Sequence, residues 1–123
     1  MATLNDRVLD SGLTVLDTEA NKIVVTSQEA TTYTEANATY ALGNSTSLSI
    51  AAPTDRSGGG REVVVAAITD GSITATGTAT HYAIVDTNNS RLLATSTLSA
   101  SQSVTSGNTF TLASFTIGIP DPS

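Results

Sequence analysis

The second half of the chain alternates short apolar or Thr/Ser-rich runs with turn signals. From Glu62 to Pro120, "EVVVAAITDGSITATGTATHYAIVDTNNSRLLATSTLSASQSVTSGNTFTLASFTIGIP" reads as one strand after another. Glu62–Ile68 is nearly continuous apolar sequence and predicts a central strand. Asp70-Gly71 is a hairpin turn signal. Ser72–Thr78 and Ala79–Asp86 predict two strands, or one long strand bent near Gly77. In the second of these, His81, Ala83 and Val85 share one face, and Tyr82 and Ile84 the other. Thr87–Ser90 predicts a turn and Arg91–Leu98 a strand. Ser106-Gly107-Asn108 predicts a further turn before a last strand at Thr109–Ile117. Pro120 and Pro122 stop that strand from extending and guard its edge. Regular short strands at this spacing indicate a mainly β fold, an antiparallel sandwich or small barrel with Greek-key or meander connections.

The first half is more mixed. Leu4, Val8, Leu9, Val15 and Leu16 suit a 3.6-residue period, with Thr3 and Asp6 placed as a capping box. This predicts a short N-terminal helix within Thr3–Asn21, weakened at Gly12 by about 1 kcal/mol. The alternative is a loop followed by a strand at Leu13–Leu16. Lys22–Ser27 is a strand by its β-branched content. Thr31–Leu42 reads either as a short helix ending at Gly43 or as an extended loop. Ser45–Ala51 alternates at Leu48 and Ile50, as a half-buried strand does. "PTDRSGGG", Pro53–Gly60, predicts a flexible loop that is the best candidate for insertion into a partner. The chain is read as one domain, 1–123, with residues 1–21 as an N-terminal helix or arm and 22–120 as the β framework.

Charge narrows the function. Only 13% of residues are charged, about half the usual share, and Ser and Thr fill the gap. A hydroxyl-covered surface suits extensive contact with other protein; it also follows from the β-propensity of Thr alone. The net charge of −6, with Arg7, Lys22, Arg56, Arg61 and Arg91 scattered, opposes binding to nucleic acid or an anionic membrane. No stretch approaches the roughly 20 apolar residues of a membrane span. The start "MATLNDRVLD" lacks a basic, apolar leader, so synthesis in a cytoplasm is expected.

No convincing catalytic set emerges, and the chain reads as a non-enzyme with no cofactor. His81 is the only histidine and there is no cysteine, so a His/Cys zinc site within one chain is excluded. Ser and Asp are plentiful enough for a triad, but no Gly-x-Ser-x-Gly elbow supports one. Asp17 with Glu19, and Glu29 with Glu35, are carboxylate pairs of the kind glycosidases use; solvated charges are the simpler reading. Gly58–Arg61 lacks the Lys-Ser/Thr of a phosphate-binding loop. Asp86-Thr87-Asn88-Asn89 offers oxygens to Ca²⁺ but falls far short of an EF-hand set. Tyr33, Tyr40 and Tyr82 suit sugar stacking, a subunit contact or a core equally well.

Three stretches carry a resemblance: "NDRVLDSGLTVLDTEANKIVVTSQEATTYTEANATYALGN", "ITDGSITATGTATHYAIVDTNNSRLLATSTLSASQSVTSGNTFTLASF" and the ending "TIGIPDPS". Across nearly its whole length the chain resembles a group of small virion structural proteins of tailed bacteriophages, from the head and tail gene region. Thr26 and Ala30 stand where similar sequences carry Cys and Pro. The resemblance implies a capsid decoration or cementing protein acting in the virion, or alternatively a tail or fibre component contacting the host surface. It implies the major capsid protein or other virion proteins as partners, and a homo-oligomer. Candidate partner contacts, chosen by composition, are Leu4, Val8 and Leu9 in the N-terminal segment, Asp55, Arg56 and Arg61 around the glycine-rich loop, and Ile119 and Pro120 near the C-terminus.

Overall fold

The structure is a computed structural model that describes residues 13–14, 16–46 and 48–119 of the 123. It is mainly β, with two antiparallel sheets and a short N-terminal helix, α1, over residues 13–14 and 16–19. The expected class and antiparallel pairing are found. The barrel alternative is not: both sheets are open, and no barrel closes among the described residues. The capping box at Thr3 and the break at Gly12 lie outside the described residues.

Among the described residues nine strands follow in order: β1 Lys22–Thr26, β2 Ala41–Ser45, β3 Thr54–Asp55, β4 Arg61–Val65, β5 Ile68–Ile73, β6 Gly77–Asp86, β7 Arg91–Val104, β8 Thr109–Leu112 and β9 Phe115–Ile119. They divide into a six-stranded sheet, β7-β6-β1-β2-β5-β8, and a three-stranded sheet, β3-β4-β9. The residues cluster into two compact units. One holds the small sheet with the N-terminal helix; the other holds the large sheet.

In the large sheet β1 lies between β6 and β2, and its apolar run is buried on both faces: Ile23, Val24 and Val25 are all fully enclosed. That explains why "KIVVT" is continuous rather than alternating. One face of β1 and β6 carries Val24, Ala83 and Val85, covered by Ala30, Ala36, Tyr33 and Tyr40 from the segment between β1 and β2. This segment is helical, as one of the two sequence readings held, but its main turn is the wide π form over Glu35–Thr39. The helix does not run to Gly43. It gives way to β2, where Gly43 meets β5 so closely that a Cβ there would lie 2.5 Å from the Ser72 carbonyl oxygen.

Several expected boundaries move. Beyond Ser45, the described residues of the alternating Ser45–Ala51 segment form no strand. The strand lies earlier, at Ala41–Ser45, and Ile50 makes a lone bridge to Val65. Asp70-Gly71 is not a turn but part of β5, with Gly71 directly opposite Phe110. Residues 74–76 separate β5 from β6, so the two-strand reading of Ser72–Asp86 is the one found. β7 runs six residues beyond Leu98, with register breaks against β6 between Ala79 and His81 and between Ile84 and Val85. The single strand expected at Thr109–Ile117 is two strands, β8 in the large sheet and β9 in the small one.

In the small sheet β4 is central, as its composition predicts, but it ends at Val65 rather than Ile68. It is also buried on one face only: Val63 and Val65 are enclosed, while Val64 is 40% exposed. Pro53–Gly60 is not a loose loop. Thr54 and Asp55 pair with Glu62 and Arg61, closing a hairpin through three glycines at φ 90, 108 and 92°. Only glycine takes that succession without strain.

Candidate functional site

The small sheet gathers four of the sequence-chosen contact residues at one corner. Arg61 opens β4 and is paired on one side with Asp55 and on the other with Ile119. Its guanidinium donates to the Asp55 carboxylate at 2.6 Å and to the Pro53 carbonyl at 3.2 Å. Arg61 is largely covered while Asp55 is open to solvent, so this is a surface ion pair worth at most about 1 kcal/mol. Arg56 folds over its own turn. Its Nη1 donates to the Gly59 carbonyl at 3.1 Å, and its Cδ and Nε lie over Gly118 of β9, within 3.2 Å of where a Cβ would stand. The corner is a rigid hairpin tip whose two arginines are engaged by the tip itself. Leu4, Val8, Leu9 and Pro120 lie outside the described residues.

The candidate chemistry resolves into local structure. Asp86 closes the β6–β7 hairpin: one carboxylate oxygen accepts the Asn88 backbone N–H at 2.9 Å, the other the Asn89 side-chain amide at 2.7 Å. The Asn89 amide does most to hold this carboxyl below the usual range; burial works against it, and the Asn88 and Asn89 backbone groups and Arg91 assist. Oxygens already accepting two N–H groups in a tight turn are an Asx-type brace, not the open cage that Ca²⁺ needs. Asn21 clamps the same turn, exchanging hydrogen bonds with Thr87 at 2.9 and 3.0 Å.

His81 is half-buried between Thr26 of β1 and Thr97 of β7, with its Nδ1 2.8 Å from the Thr80 hydroxyl. Glu35 is bound locally. Its Oε1 accepts the Thr31 backbone N–H at 2.8 Å and the Thr31 hydroxyl at 2.7 Å. The Thr31 backbone bond, then the Thr31 hydroxyl, hold its carboxyl below the ordinary range. Tyr33 and Tyr40 pack on the core face beside Ala30 and Ala36, which is the subunit-independent use of an aromatic. Among the described residues no group of three or more His, Cys, Asp and Glu is arranged to hold a metal ion.

Sequence reasoning missed one feature. The end of β7, the following turn and β8 surround an open cleft of about 230 Å³ lined by Ile73, Gln102, Val104, Asn108 and Phe110, among others. Apart from Ile73 its lining falls within residues 102–111, a stretch whose Ser/Thr-rich strand pattern carries no signal for a cleft.

No protein-family model matches the chain, and comparison with characterised proteins and with solved structures finds no significant likeness.

Proposed function

We propose that this chain is a structural protein of a tailed-phage virion, decorating or cementing the capsid shell through contacts with the major capsid protein and with copies of itself. The observation that carries the reading is where a long, nearly uncharged stretch of the chain goes. Residues 87–119 contain a single charged side chain, Arg91. They form β7, β8 and β9, three of the four strands that bound the two sheets among the described residues. Solitary β proteins commonly guard their edges with charge or proline. A chain with net charge −6 that keeps its acids off most of its edges is suited to contact with other protein. Its polar groups are spent on turns and helix braces, as at Asp86 and Glu35, which is how a rigid brick uses them.

Cementing does not require tight binding at one position. Repeated weak contacts over a shell add through high local concentration. A protein that prefers the assembled, expanded lattice stabilises that state by mass action. The test is addition of purified protein to expanded capsids that lack it. Attachment with a rise in capsid disruption temperature supports the reading, and neither effect removes it. Antibody labelling of whole virions then separates shell from tail: label confined to the tail tip replaces this reading with a fibre role.

A further inference from the structure

We propose that the cleft between the end of β7 and β8 is a binding site for a neutral saccharide, sized for one sugar ring. Its volume of about 230 Å³ lies below the roughly 300–1,000 Å³ of pockets that take drug-sized molecules. Six uncharged polar residues line it: Gln102, Ser103, Thr105, Asn108, Thr109 and Thr111. None of their side chains forms a hydrogen bond with another described residue. Several side-chain amides elsewhere brace the fold: Asn21 donates to Thr87, Asn89 donates to Asp86, and Asn37 accepts from Lys22. Around the cleft, the donors and acceptors are left for a ligand.

The chemistry of the lining selects the ligand class. Among the described residues no Lys, Arg, Asp or Glu lines the cleft. A phosphate or carboxylate ligand therefore finds no counter-charge, in a chain of net charge −6. A hard cation finds no carboxylate. A purely apolar ligand would strip water from the amides and hydroxyls without replacing its hydrogen bonds. Carboxamides and hydroxyls both donate and accept, as the hydroxyls of a sugar do. Ile73, Val104 and Phe110 add apolar wall for the C–H face of a pyranose. Phe110 is not a stacking platform, since its ring covers Gly71, and none of the three tyrosines lines the cleft. Binding rests on hydrogen bonds exposed to water, so Kd is on the order of 1–10 mM. The turn that carries Asn108 is fixed before a ligand arrives. The Ile73 N–H donates to the Asn108 carbonyl at 2.8 Å, the Gly107 N–H to the Ile73 carbonyl at 2.9 Å, and the Ser106 N–H to the Thr76 hydroxyl at 3.0 Å. A wall already held in place loses little freedom on binding.

The inference stands on the cleft alone and is tested on the purified chain without capsids, so it fails or holds separately from the virion reading. Amide chemical shifts are followed while the full chain is titrated with glucose, galactose and N-acetylglucosamine in turn. Sodium phosphate, calcium chloride and cyclohexanol are the comparison ligands. At least one sugar is expected to give saturable shifts confined to Ile73 and residues 102–111, and the comparison ligands none. Gln102→Ala with Thr109→Val removes polar groups that the fold does not bond. This double variant should keep the melting temperature and weaken sugar binding at least about fivefold. Thr97→Ala, on β7 but outside the cleft lining, should leave binding unchanged. No saturable shift with any of the three sugars overturns the inference. So do sugar shifts away from the cleft, equal shifts with cyclohexanol, or undiminished binding by the double variant.

Discussion

Gly71 of β5 lies directly beneath the ring of Phe110 of β8. A Cβ at position 71 would fall well inside van der Waals contact with three ring carbons. Phe110 is itself 6% exposed, so the ring covers the glycine and in doing so buries its own surface. An aromatic laid over a cross-strand glycine is a recognised way to protect an otherwise bare stretch of sheet. Gly71→Ala is therefore expected to cost about 1–3 kcal/mol through overpacking, as the ring must shift to admit the methyl group. Gly107 provides the contrast. Its φ is 91° and nothing stands within 4 Å of its Cβ position, so Gly107→Ala pays backbone strain alone. Gly107→Asn, which tolerates the left-handed region, should recover most of that loss, whereas Gly71→Asn should not. Chemical denaturation of the four variants checks the ordering.

The same pair of glycines shows what could be read in the sequence. Turns at Thr87–Ser90 and Ser106–Asn108 are where their residues predict, because a turn is a local demand on φ. Ser90 at φ 54° and Gly107 at 91° meet that demand. Asp70-Gly71 carries an equally strong turn signal, yet Gly71 is a strand residue kept small for a ring 39 positions away. Gly43 is likewise small for the sake of β5, not to end a helix. Glycine answers both to φ and to close approach, and only the first is written locally. The division of Thr109–Ile117 has a local trace, a phase slip in the apolar alternation between Leu112 and Phe115, but the change of sheet that it marks is non-local. Of the candidate site, the local hairpin of Asp55, Arg56 and Arg61 was legible as a segment. Its ordering by Arg56 over Gly118 was not, since that depends on a strand more than 50 residues later.

Acid should loosen the segment between β1 and β2. Glu35 has its carboxyl held down in the folded state by the Thr31 N–H and hydroxyl. A carboxyl depressed on folding contributes stability that is complete above its ordinary value near 4.5 and is lost as pH falls through the lower folded value. Asp86 acts in the same direction through Asn89. The melting temperature should therefore fall as pH is lowered from 5 to 3, over a range set by about the ordinary carboxylate values. Glu35→Gln should lower it at pH 6 and flatten its decline in acid. An unchanged acid limb in this variant would show that the Thr31 bonds contribute nothing to the folded state.

Calcium should leave the protein unaffected. The two oxygens of Asp86 accept from Asn88 and Asn89, and a cation would have to displace both donors. Melting curves with millimolar Ca²⁺ and with chelator are expected to superimpose. Asp86→Ala removes the brace at a position that is 1% exposed and leaves two donors unsatisfied. It should lower the melting temperature more than Asn21→Ala, which loosens the same turn from its solvent side.

The two valine-rich runs, "KIVVT" and "REVVV", look alike as sequence and differ in what surrounds them. β1 is enclosed on both faces, with Ile23 at 0% exposure, whereas β4 turns Val64 outward at 40%. Removing buried methylenes costs their transfer free energy plus the cavity left behind, so Ile23→Ala should destabilise by about 2–5 kcal/mol. Val64→Ala deletes carbon that is partly in water already and should cost much less, about 0.5 kcal/mol. Backbone exchange should divide in the same way. Amides of β1, held between two neighbouring strands, exchange only on global opening of the large sheet. Amides of β9, paired on one side among the described residues, exchange through local fraying in dilute solution. Equal protection of the β1 and β9 amides would contradict this division.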